Sequence, residues 1–157
     1  MIMNSPTIEE KLSQLGYSLP TPPVPKGSYV PYVQVGKLLY LSGVLALWEG
    51  EMRYMGAVGS ERSIDEAQKA AELCALNSLA VAESALGSLE AIAKVVSVTG
   101  FVYADQGFAQ SPQVINGASD LLVAVLGERG KHSRAAVAVS GLPLESTVEL
   151  QLIIEAV

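Results

Sequence analysis

The chain has 157 residues, half of them hydrophobic, 17% charged, and a formal net charge of -6. That length suits one domain with a substantial core and is short for two, and ten scattered Lys and Arg residues lack the clustered basic face that phosphate-backbone binding requires, which argues against nucleic acid as a partner. With a mean hydropathy of +0.35, so few charges leave little polar covering, which predicts that a partner copy closes some apolar surface.

Ser5 and Pro6 form a cap and first-turn pair for a short helix over residues 5–15, with Gly16 as its stop. Pro20, Pro22, Pro23 and Pro25 then force an extended connector poor in hydrogen bonds. Residues 1–26 are accordingly read as an arm and connector, and residues 27–157 as a single domain. Residues 29–35 and 37–42, split by Gly36, read as a β-hairpin, and residues 44–59 as a third strand with loops. Ser63 and Glu66 are spaced as a capping box, in which hydroxyl and carboxylate satisfy each other's backbone donors. They open a helix over 67–86 that stops at Gly87. Its apolar positions Ala67, Ala70, Ala71, Cys74, Leu76, Ala80 and Val81 are small, which allows close approach to a sheet.

A helical turn over 88–92 leads to a β-branched strand over 95–104. Ser111 and Pro112 repeat the cap-plus-proline signal for a second long helix over 113–126, closed by Gly127 and Gly130. Two further runs, 134–140 and 147–157, read as buried strands joined by a turn at 141–144. The order predicts an α+β fold of about six strands with both helices on one sheet face. No apolar stretch approaches the roughly 18 residues a membrane span needs, and the N-terminus lacks a basic segment followed by an apolar one, so a soluble cytoplasmic protein is expected. Cys74 is the only cysteine and no His/Cys cluster exists, which rules out a disulfide or a thiolate metal site within one chain and fits a reducing compartment.

Arg134 and Glu149 interrupt the two C-terminal apolar runs. An ionised group withdrawn from water costs several kcal/mol unless paired, so both require either a structural partner or a ligand. On the residues alone an inter-strand or inter-subunit ion pair is the commoner explanation.

The segments Gly27-Ser-Tyr29, Leu41-Ser-Gly43, Val114-Ile-Asn-Gly-Ala-Ser-Asp120, His132-Ser-Arg134 and Leu142-Pro143 followed by Val148-Glu149 resemble, in order and spacing, the Rid family, also called YjgF or L-PSP endoribonuclease. The resemblance runs from about residue 27 to the C-terminus, and the N-terminal arm and the 114–120 segment are similar to a longer subgroup. It implies a chorismate-mutase-like fold, a mixed sheet with two long helices on one face, assembled as a homotrimer with a small-molecule site in each cleft between subunits. It also implies hydrolysis of reactive imines or enamines such as 2-aminoacrylate to 2-oxo acids and ammonia, with no metal or organic cofactor.

Under this resemblance Arg134 grips the carboxylate of a small metabolite, since a guanidinium is a planar fork of donors. Glu149 holds the attacking water or passes a proton to the departing nitrogen. Tyr29 closes the pocket, Ser42 and Gly43 lie near the substrate, Asn116 is a pocket asparagine, and the backbone of Ala136 occupies a position where the family commonly has cysteine. His132-Ser133 replaces a common Pro-Ala and reshapes the pocket mouth.

Each residue also has a plainer explanation. Ser42 fits a strand-end hydroxyl bonded to backbone, Asn116 a helix cap or packing group, Tyr29 a core residue, His132 a solvent-facing loop residue rather than an acid or base, and Cys74 an inert buried thiol. Three functions stay open: a deaminase, favoured because clamp and acid are both present; a carboxylate-binding or regulatory trimer; and a ribonuclease or translation inhibitor, disfavoured by the acidic balance and the missing His/Lys/Arg cluster.

Overall fold

The computed structural model describes residues 4–157, so the first three residues of the expected arm lie outside the described residues. Helix α1, Ile8–Gln14, starts at Thr7, whose hydroxyl accepts from the Glu10 backbone while Glu10 reaches back to the Thr7 amide. The cap is therefore Thr7 and not Ser5, because only Thr7 has an acid three residues downstream to complete the box. Ile8 and Leu12 are buried in the core, and the Ile8 amide donates to Glu90 Oε1 at 2.7 Å.

Strands β1, Tyr32–Val35, and β2, Leu38–Leu41, form the expected hairpin. The expected third strand over 44–59 is instead three two-residue strands: β3, Val44–Leu45; β4, Leu47–Trp48; and β5, Glu51–Met52. Glu49 and Gly50 both take positive φ, which folds β5 back onto β4 as a separate ribbon. Helix α2, Ile64–Leu86, opens with the Ser63/Glu66 capping box and ends at Gly87. All seven of its small or apolar positions singled out above are buried.

Strand β6, Ile92–Tyr103, is the long central strand, helix α3 spans Ser111–Leu126, and β7, Ser133–Val139, and β8, Val148–Ala156, complete the sheet. The main path is β1-β2-β8-β6-β7, with β3 paired to β8; β6 and β7 run parallel and the other pairs antiparallel. Both long helices pack on one face of this six-stranded mixed sheet and on each other. They meet where Gly117 presents no side chain: a Cβ there would sit 2.2 Å from the Gln68 carbonyl oxygen. Ser111 does not cap α3, since the N-cap is Gln110 with no side-chain bond; Ser111 is the first helical residue and is buried.

Burial follows the two-residue period on β8, with Val148, Leu150, Leu152 and Ile154 under the helices and Glu149, Gln151, Ile153 and Glu155 on the open face. Strand β7 departs from the buried strand expected, because it lies at the sheet edge with only β6 as neighbour and most of its residues are exposed. The open sheet face carries Val33, Val35, Tyr40 and Val137, all exposed. Among the described residues no helix is long and apolar enough to cross a membrane.

Candidate functional site

Strand register assigns the two charged residues to different faces. Val98 on β6 pairs with Arg134 on one side and with Leu152 on the other. Val98 and Leu152 are buried beneath the helices, so Arg134 leaves β7 on the helix face, at its exposed edge. Phe101 pairs with Val137 and Glu149, which places Glu149 on the open face. The two groups are also offset by three β6 residues, about 10 Å along the strand, and separated by the width of β6. They form neither a common crevice nor an ion pair within one chain.

The Arg134 half is built by α3. Nη1 donates to Asn116 Oδ1 at 2.8 Å and to Ser119 Oγ at 3.2 Å, and Nη2 donates to the Pro112 carbonyl at 3.3 Å. Three of the five guanidinium N–H groups are thus engaged, and Nε–H and one Nη2–H stay free among the described residues. That pair suits bidentate capture of a carboxylate. Asn116 and Ser119 are three apart on a helix and so share its face. Behind them, His132 Nδ1 lies 2.6 Å from the Gly130 carbonyl and Nε2 2.9 Å from Ser119 Oγ. A carbonyl only accepts, so Nδ1 carries a proton, and in the neutral ring Nε2 accepts from Ser119. Ser119 in turn accepts from Arg134, and the chain of bonds fixes the guanidinium plane. Ala136 sits on the same face of β7, opposite Gly100, and packs against the core.

Glu149 does not itself line a cavity but lies against Gly43, which with Tyr29 and Ser42 lines a neighbouring cavity of about 370 Å³. Gly43 leaves room for the Glu149 carboxylate: a Cβ there would meet its nearer oxygen and push the side chain aside. Burial raises the Glu149 carboxyl above its ordinary value of 4.5, because withdrawal from water disfavours the charged form. The Ser42 hydroxyl donates to the Val30 carbonyl at 2.6 Å, which matches its plainer reading while leaving its lone pairs available. Tyr29 is 55% exposed and lines the cavity rather than the core.

The seven residues singled out from the sequence therefore fall into two clusters on one chain: Arg134, Asn116 and Ala136 at the β7 edge, and Tyr29, Ser42 and Gly43 on the cavity with Glu149 against Gly43. Sequence reasoning missed Ser119 and the connector at residues 23–26, which walls the cavity. The three-residue spacing to Asn116 could have found Ser119; nothing local signals the connector. Cys74 is fully buried, its Sγ 3.6 Å from the Val148 carbonyl, and burial pushes its thiol far above the usual range, as an inert thiol should be. Among the described residues no three His, Cys, Asp or Glu side chains gather as a metal site.

Comparison with known proteins adds the family. The sequence model described as "YjgF/chorismate_mutase-like, putative endoribonuclease" matches residues 9–156. Protein TCP17 of Trypanosoma cruzi is 36% identical over 155 residues, covering 98% of this chain and 97% of that protein. The crystal structure of Atu1372 from Agrobacterium tumefaciens, described as of unknown function, is similar with 43% identity and a TM-score of 0.90, covering 96% of this chain and 92% of that one. A structure described as "a putative endoribonuclease" from Shewanella oneidensis shares 33% identity with a TM-score of 0.92, covering 96% and 99%.

Proposed function

The chain belongs to the YjgF/chorismate-mutase-like family, and from that membership and its two half-sites we propose that it hydrolyses reactive imines and enamines of the 2-aminoacrylate type to 2-oxo acids and ammonia. The working form is a homotrimer in which Arg134 at the β7 edge of one copy meets the Glu149 cavity of the next. One observation carries this reading: a guanidinium held by Asn116 and Ser119 with two donors free, and a half-buried carboxyl beside a cavity, each exposing half of one reaction site. The apolar open sheet face supports closure by other copies.

In this reaction the enamine first tautomerises to the imine, its terminal carbon gaining a proton while its nitrogen gives one up to solvent. Arg134 fixes the substrate carboxylate through two parallel bonds. Glu149, as carboxylate, accepts a proton from water as its oxygen attacks the imine carbon. The carbon–nitrogen double bond opens, and the nitrogen takes that proton back from Glu149 to give the tetrahedral carbinolamine. Collapse to the carbonyl breaks the remaining carbon–nitrogen bond and releases ammonia, with the proton relayed through Glu149. An acid whose ionisation burial has raised is suited to both accepting and returning that proton. Endoribonuclease activity, the other reading in the family description, is served poorly by a net charge of -6, since phosphate chemistry draws on clustered cations.

The test is loss of 2-aminoacrylate generated in situ, followed in parallel with light scattering for the assembly. The wild type should exceed the spontaneous rate, and Arg134→Ala and Glu149→Ala should each lower it by on the order of 100-fold or more without changing the assembly. A wild-type rate equal to the spontaneous one across several imino acids sinks the deaminase and leaves a carboxylate-binding trimer.

A further inference from the structure

The cavity beside Glu149 is apolar well beyond what a carboxylate and an imine need. Its inner wall is Leu45, Leu47 and Val81, and its rim is Val24, from the proline-rich connector, and Leu144, from the turn before β8. Val24 is 80% and Leu144 52% exposed, so both present apolar side chains to water at the mouth of a concave site. The volume of about 370 Å³ falls in the range of about 300–1,000 Å³ usual for small-molecule sites.

Both rim residues are held in place. Leu144 has φ 55° and ψ 23° and Glu145 follows with φ 60°, a left-handed pair that is unfavourable for residues with a Cβ and persists only where surrounding bonds impose it. Those bonds are present: the Glu145 carbonyl accepts from Gly56, the Ser146 amide donates to the Pro143 carbonyl, and the Thr147 amide donates to the Tyr54 carbonyl. The connector is stiffened by its prolines, which fix φ and lower the entropy lost on ordering, and is tied down where the Thr21 amide donates to Glu49 Oε1 at 2.9 Å. A strained leucine and a proline-framed valine facing one void form a built wall.

We propose that this wall is a specificity pocket, and that the preferred ligands are 2-imino or 2-oxo acids with a branched aliphatic side chain rather than a methyl-sized one. The inference rests on the deaminase reading for its reaction but not for its binding preference. A methyl-sized side chain leaves the rim wet, whereas an isobutyl group removes both rim residues and itself from water. Each methylene seated in an apolar pocket is worth about 10-fold or more in discrimination.

The experiment compares imino acids made in situ from leucine and from alanine by an amino-acid oxidase, and separately titrates 4-methyl-2-oxopentanoate and pyruvate by calorimetry. The expected result is a kcat/KM ratio of at least about 10 for the leucine-derived imine and the same order of preference in binding. Val24→Asp, at a position exposed enough that folding is not at stake, should reduce both ratios toward one. Turnover of both imines with no preference for the larger overturns the pocket and leaves the deaminase standing. Selective binding of 4-methyl-2-oxopentanoate without turnover of either imine sinks the deaminase and upholds the pocket. Equal binding of the two oxo acids, or ratios untouched by Val24→Asp, overturns the assignment of the wall.

Discussion

Arg134 and Glu149 flank the same central strand yet leave the sheet on opposite faces, opposite Val98 and Phe101 respectively. In a sheet, side chains an odd number of register steps apart leave on opposite faces, and Val98 and Phe101 are three steps apart, so no rotamer change within one chain unites them. A site using both has to borrow one from a neighbour, and the exposed edge position of β7 makes Arg134 the residue that can be lent.

Mixing variants tests that arrangement. Arg134→Ala and Glu149→Ala are each expected to be inactive alone, but co-expression should restore activity, because roughly one interface in four in a randomly mixed ring pairs an intact arginine with an intact glutamate. The measurement is imine hydrolysis by co-purified differently tagged copies. Activity no greater than the sum of the separate variants would place both groups in one chain's site, or outside any site.

Removing the hydroxyl of Ser119 strips His132 and Arg134 of a shared partner. Ser119→Ala should raise KM about fivefold with kcat little changed, the loss of one hydrogen bond worth about 1 kcal/mol, and His132→Ala should act in the same direction. Steady-state kinetics separates this from a general defect, which would lower kcat or the thermal midpoint instead. Arg134→Lys should lose more than either, since an ammonium cannot supply two parallel donors.

Gly117→Ala should destabilise the fold although alanine is the better helix former by about 1 kcal/mol. The added methyl would meet the Gln68 carbonyl oxygen, and backbone cannot swing aside as a side chain can, so overpacking of about 1–3 kcal/mol is expected. Urea titration reads the difference. A variant as stable as wild type would mean that α2 and α3 slide freely past each other.

The α2 cap gives a pH-dependent effect of known sign. Hydrogen bonds from Arg62 first and then from the Ser63 backbone hold Glu66 below the ordinary carboxylate value of 4.5. A depressed folded value means stability that is present above 4.5 and is lost as pH falls through the folded value. Glu66→Gln should therefore melt below wild type at neutral pH, with the gap closing on acidification, while Ser63→Ala loses about 1 kcal/mol. Thermal melts from pH 7 to pH 3 check both, and a gap that widens in acid contradicts the cap assignment.

Much of this protein is legible in the chain itself. The Ser63/Glu66 box and the run of small residues from Ala67 to Val81 specify a buried helix because capping and helical periodicity act within a few residues. The alternation in β8 likewise settles which of its residues face the helices, and the spacing of Arg134, Glu149 and the Ser-Gly pair carries the family resemblance. Tertiary structure decided what local pattern does not encode. The apolar composition of β7 suggested burial, but strand order put it at an edge and left Arg134 in the open. The faces taken by Arg134 and Glu149 depend on how β7 and β8 pair with β6, a register fixed by contacts between distant segments. The cavity is lined by both residue 24 and residue 144, and only chain folding brings positions so far apart in sequence to one void.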